Sequence, residues 1–274
     1  MTYFSMGYWV VGLALFFSAI AAACGLACIR QSAKSETARF RTVWLFVAGN
    51  ALGSAGVGMP LFITLVGLQV SQSKLHYDEG RVILASVLSG AAAFIALLVA
   101  GRTLNWPRLA GAGVIMTAGM AGTHLIFVSG IRIRGSVDQN VLSMTGVIVV
   151  AAALSAAMLW LVFAAKKRAL LLIGALVYGT LSVTMHLVGM TGLTAQVDPT
   201  AGVPGGADLF SYFVPFWVIS SLSLAVPVTA ILIAPDRREA RRLAPTLPQT
   251  TPTTSLAAAS RAAKSARRTE QPVR

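Results

Sequence analysis

Charge is scarce in this chain, and negative charge is scarcest: Asp and Glu together number 9 in 274 residues, against 22 Lys and Arg. A soluble domain carries roughly 25% charged residues. This chain carries 11%, with 56% hydrophobic residues, which excludes a soluble globular class. Cysteine is nearly absent, so no disulfide framework is available; the two cysteines, Cys24 and Cys28, lie one helical turn apart, a poor geometry for pairing. They read as small packing residues, with a soft-metal pair as the alternative. The last apolar run has no lysine, which excludes a retinal Schiff base there. No Ser, His and Asp set falls at one depth and no glycine run is followed by a phosphate-binding lysine, so the chain reads as something other than an enzyme.

What is present is a succession of uncharged apolar runs, each close to the roughly 20 residues that cross a bilayer core as a helix. We expect an all-α membrane protein with seven transmembrane helices: Tyr8 to Ile29, Val43 to Val70, Val82 to Gly101, Leu109 to Ile131, Val141 to Ala165, Ala169 to Thr191 and Tyr212 to Ala234. The first run is too long for a signal-peptide core and is read as retained. Basic residues concentrate in alternate loops, at Arg30, Lys34, Arg39 and Arg41, at Arg102 and Arg108, and at Lys166, Lys167 and Arg168. The other loops hold Asp78, Glu79, Asp138, Asp198 and Asp208. This alternation places the N-terminus outside and the C-terminus in the cytoplasm of a cell inner membrane. The net charge of +13 is then largely a property of the cytoplasmic face and requires no nucleic-acid partner.

The membrane domain spans residues 1–234. Residues 235–274 are rich in Pro, Thr, Ala and Arg and lack aromatics, a composition expected of a disordered basic tail, with Arg237, Arg238, Arg241 and Arg242 at the inner leaflet. No second domain large enough for an enzymatic output is expected. Gly49 and Gly53 form a G-x-x-x-G pair suited to close helix approach, and Asn50 beside them suits an interhelical hydrogen bond.

Even-numbered helices share a repeat. Helix two reads "GSAGVGMPLFITLVG", helix four "TAGMAGTHLIFVSG" and helix six "GTLSVTMHLVGMTG", so that Met59, Thr123 and Met185 correspond, 62 to 64 residues apart. With a rise of 1.5 Å per residue, Met59 and His124 lie roughly 24 Å, and His186 roughly 27 Å, from the cytoplasmic entry of their helices. His186 and Met190 share a helix face, as do Met116, Met120 and His124. Imidazole with thioether is a soft to borderline donor set that favours copper, especially Cu(I), and no carboxylate at this depth suits a hard ion. The alternative is that the methionines fill the core and each histidine bonds a backbone carbonyl. His76, in the loop "KLHYDEG", reads as a solvated residue, with a ligand role as the alternative.

The "MHLVGM" of helix six resembles the Met-His-Tyr-Thr-Gly-Met signature of the MHYT domain, a bacterial integral membrane sensor domain with three such motifs on alternate helices. The likeness covers roughly residues 8–234. It implies copper bound by Met and His and, through it, sensing of oxygen, carbon monoxide or nitric oxide. By position it assigns metal-ligand roles to Met185, His186 and Met190, to His124, and to Met59, with Met120 standing in for a second-motif methionine. Leu187 and Val188 replace the usual Tyr and Thr; Thr123, Phe127 and Val128 depart from the second motif; and Pro60 replaces the first motif's histidine. Pro60 is expected to kink helix two. Members of that family often carry cytoplasmic domains that make or degrade cyclic dinucleotides. Here the resemblance implies that a signal leaves through a cytoplasmic partner, the basic tail or a change in assembly. Two other functions fit the residues less fully: a bis-histidine haem protein using His124 and His186, and a small-molecule or metal transporter built on repeats and a broken helix.

Overall fold

The computed structural model describes every residue except Met1, Phe4, Gln72, 165–167 and 234–274. The expected basic tail, with Lys166 and Lys167, therefore lies outside the described residues. Seven helices are long and apolar enough to cross a membrane, in agreement with the hydropathy reading. They are α1 (Trp9–Lys34), α2 (Ala38–Leu65), α3 (Glu79–Ala100), α4 (Trp106–Ser129), α5 (Val141–Ala164), α6 (Arg168–Thr191) and α7 (Leu209–Ile233).

Several helices start before their uncharged runs because capping residues, not the first apolar residue, set the boundary. The Thr37 side chain accepts from the Phe40 N–H, Asp78 from Arg81, Asn105 from Arg108 and Asp208 from Ser211. Each satisfies a backbone donor that the first turn leaves without a partner. The α3 cap also joins Arg132 in an ion pair of 3.1 Å. The Arg81 N–H and then the Arg132 guanidinium hold the Asp78 carboxyl below the usual carboxylate range.

Short strands gather the three loops that follow the even helices. β1 (His76–Tyr77) pairs antiparallel with β2 (Ile131–Arg132), and β3 (Gly135–Gln139) pairs with β4 (Leu193–Val197) in the register Gly135↔Val197 to Gln139↔Leu193. Ala207 adds a further bridge to Tyr77. The loop from Gly192 to Ser211 is thus partly strand. Gly135 is required there, since its φ of 117° is left-handed and a Cβ would strike the Gln196 carbonyl.

Helix α2 is the centre of the bundle and α7 its periphery: 78% of an apolar 18-residue stretch of α2 is buried and 11% of the corresponding stretch of α7. Lipid tails provide no hydrophobic force between helices, so close packing must hold them. Gly49 lies against the backbone of Phe94, where an added Cβ would come within 2.6 Å of its nitrogen. Gly53 is pressed in the same way onto Ser89 and Gly90, and Gly119 of α4 onto Ala92. Helix α3 is therefore gripped by small-residue seams on both sides. The Asn50 side chain, by contrast, makes no hydrogen bond among the described residues. Cys24 and Cys28 are buried free thiols, with Cys24 directed at the Leu224 carbonyl of α7.

The middle of α2 is a π-helix over Ala51–Gly58, immediately before Pro60. Proline has no N–H, and its ring crowds the carbonyl four residues earlier, which is that of Gly56. The Pro60 disturbance expected from the sequence thus takes the form of a widened stretch whose carbonyls turn to side chains. Ser18 of α1 and Ser182 of α6 both donate to the Gly56 carbonyl, at 2.6 and 2.9 Å, and Tyr178 of α6 donates to that of Leu52 at 2.6 Å. Irregular backbone is tolerated at membrane depth only where protein satisfies it in this way.

Candidate functional site

The same stretch receives the first functional side chain. His186 Nε2 lies 2.8 Å from the Val57 carbonyl. A carbonyl only accepts, so His186 carries its proton on Nε2 and presents a bare Nδ1 on the other side of the ring. That nitrogen faces His124 Nδ1 at 3.2 Å. His124 then donates from Nδ1, which leaves its Nε2 without a proton. The chain of tautomers follows from one fixed carbonyl.

The two rings stack with centroids 5.5 Å apart and an interplanar angle of 26°, and both residues are fully buried. The second and third repeats therefore meet side chain to side chain, and the first contributes its backbone two residues before Met59. His124 Nε2 is one of two buried side-chain polar atoms without a hydrogen-bond partner among the described residues; the other is Ser89 Oγ, at the α2 to α3 crossing. Beyond Nε2 is Gly189, the glycine of "MHLVGM", where an added Cβ would strike the imidazole. Gly189 thus makes the space that His124 occupies, and its own carbonyl accepts from Gln139 of β3 at 3.4 Å.

The four candidate methionines are all buried, but they belong to different cores. Met120 and Met185 lie in the large cluster through the bundle centre. Met190 joins Phe62, Phe127 and Tyr77 in the cluster at the strand-bearing end. Met59 is fully buried at the end of the π stretch. The Met120 thioether takes a long contact from Ser155 of α5, at 3.9 Å. His76 is half-buried in β1, with Nδ1 donating to the Pro204 carbonyl at 2.6 Å.

The pair suits a small ion. With the His124 proton moved from Nδ1 to Nε2, both Nδ1 lone pairs would be free for an ion, and two nitrogens about 2.0 Å from one tetrahedral ion lie about 3.3 Å apart, close to the 3.2 Å between the two Nδ1 atoms. The Val57 carbonyl fixes the orientation of the His186 ring, the kind of second hydrogen bond that a ligating imidazole would need. No group of three or more His, Cys, Asp or Glu occurs among the described residues, so any further ligand must come from another donor type.

Sequence reasoning found the two histidines and missed the supports around them. Tyr178, Ser18 and Ser182 carry no motif, and the one available signal was Pro60, which announces a carbonyl in need of a new donor.

No protein-family model matches the chain, and no solved structure matches it. The chain is 26% identical over 204 residues to the bifunctional diguanylate cyclase/cyclic di-GMP phosphodiesterase MucR of Pseudomonas aeruginosa. The match covers 72% of this chain and 30% of that protein, so the chain spans about 30% of its relative's length. A signalling role at a membrane fits both this distant likeness and the seven-span fold.

Proposed function

We propose that the chain is a multi-pass inner-membrane sensor of MHYT type, with its N-terminus outside, in which His124 and His186 hold copper and the metal reports a diatomic gas such as oxygen, carbon monoxide or nitric oxide. The observation that carries this reading is the contact of two fully buried imidazoles through their Nδ1 atoms. Soft thioethers are the remaining donor type near these sequence positions, so Met59, Met120, Met185 and Met190 are the reserve from which a Cu(I) shell is completed. Copper bound there supplies a coordination position that a neutral gas dissolved in the bilayer can reach. The protein's part is to exclude charged competitors, to fix the His186 tautomer through Val57, and to seat His124 against Gly189.

The donor set argues for a small ion over haem. A porphyrin between axial histidines needs their nitrogens aimed at its iron from opposite faces, whereas these rings stack in direct contact.

The site is wired to the fold. His186 is bonded to the π stretch, and α1 and α6 bond the same stretch through Ser18, Ser182 and Tyr178. π segments inside helices occur frequently at functional sites. Displacement of His186 therefore reaches three helices at once, and the signal passes to a cytoplasmic partner, with the basic tail as its docking segment. The likeness to a cyclic di-GMP enzyme supports a partner in that signalling class.

The test is metal content of detergent-purified, copper-reconstituted protein beside the His124→Ala, His186→Ala double variant. About one copper per chain, lost in the variant, is expected. Equal copper in both removes the assignment.

A further inference from the structure

A second polar feature inside the span belongs to none of this. A cavity of about 350 Å³ lies between α2, α3 and α7. It opens on the lipid-facing surface, where its lining residues Ile83, Val87 and Ile219 are exposed. Yet its lining residues include Asn50, Ser54 and Ser220, whose side chains make no hydrogen bond among the described residues. Hydrocarbon offers these groups nothing, and an unpaired amide in such a medium is costly. The cavity also carries surplus acceptors. Pro215 and Pro227 of α7 have no N–H, so the carbonyls of Ser211 and Ser223 lose their helical donors, and both serines line the same cavity.

The rest of the lining narrows the occupant. It contains no Lys, Arg, Asp or Glu, which argues against a phosphate, carboxylate or ammonium head. Phe62 and Phe216, with ring centroids 4.9 Å apart, and Tyr212 give it aromatic walls suited to a flat ring. Helix α7, which closes one side, is the least buried of the seven, so a ligand can enter from the bilayer without crossing the tightly packed seams.

We infer that this cavity binds an isoprenoid quinone: an uncharged, flat, lipid-soluble head whose carbonyls accept from Asn50, Ser54 and Ser220, with its tail leaving toward lipid. The site stands apart from the histidine pair, with Phe62 between them: its ring packs edge-on against Phe127, one turn beyond His124, at 4.9 Å.

The probe is a ubiquinone with a ten-carbon tail, titrated into the full chain in lipid nanodiscs. Binding is read by equilibrium separation of the discs and by quenching of tryptophan fluorescence. Saturation near one quinone per chain is expected, weakened about tenfold by Asn50→Ala with Ser54→Ala. These changes delete no bond within the protein, so they leave the fold intact; Ser220→Ala provides an independent second variant expected to weaken binding in the same direction. The His124→Ala, His186→Ala protein is expected to bind quinone as wild type, whatever its copper content. Non-saturable uptake equal in wild type and cavity variants would overturn the site. Displacement of the quinone by an equal amount of dioleoylglycerol would overturn the assignment to a quinone.

Discussion

Replacing Gly189 with valine is expected to weaken copper binding by about a hundredfold, although residue 189 itself has no ligating atom. Besides its collision with Nε2, a Cβ at this position would come within 2.5 Å of His124 Cε1 and 2.8 Å of Cδ2. These are ring atoms of a fully buried side chain held on its other edge by His186, so the ring cannot swing clear without breaking the Nδ1 contact. Overpacking of this kind costs about 2 kcal/mol of stability, which a lowered thermal midpoint in detergent would register. A size-swapped pair separates the two effects: adding His124→Ala to the valine variant should restore much of the stability and none of the copper. Unaltered copper affinity in Gly189→Val alone would mean that the imidazole is not seated as described.

The second large effect is expected at Gly53→Leu, far from the histidines along the chain's packing seam. The new side chain would meet backbone atoms of Ser89 and Gly90, which, unlike the tip of a flexible side chain, cannot give way. Separation of α2 from α3 should cost about 3 kcal/mol. It should also widen the cavity between them, so quinone binding and thermal stability fall together. Gly12, where an added Cβ meets nothing within 4 Å, is the control position. A leucine at Gly53 that leaves the thermal midpoint unchanged would contradict the close crossing.

The spans and the repeat were legible because hydrocarbon permits little else: backbone must be helical and apolar, so composition alone marks Trp9–Lys34 through Leu209–Ile233. The shared depth of His124 and His186 was legible too, since helical rise converts sequence position to height, and the side-chain contact bears it out. Which way each face turned was not. Facing depends on packing angles that no short motif encodes, and so Met120 and Met185 lie in one core and Met190 in another. The strands escaped notice because β1 and β2 are two residues each and pair across more than fifty positions of chain. The π stretch left a trace only in Pro60; the hydroxyls that satisfy it lie on helices remote in sequence and look like ordinary serines and a tyrosine. Asn50 ran the other way. An amide inside a span suggests a bond between helices, and its lack of one is what marks the cavity beside it.

The central claim is that the imidazole of His186 is in the bilayer to share an ion with His124. X-ray absorption at the copper edge of copper-loaded, purified protein tests it most directly. Two nitrogens at about 2.0 Å and sulfur at about 2.3 Å are expected, with the nitrogen shell collapsing in the His124→Ala, His186→Ala variant. An oxygen-dominated shell, or one that is the same in wild type and variant, would contradict it and leave the pair as two core histidines bonded to Val57 and to each other.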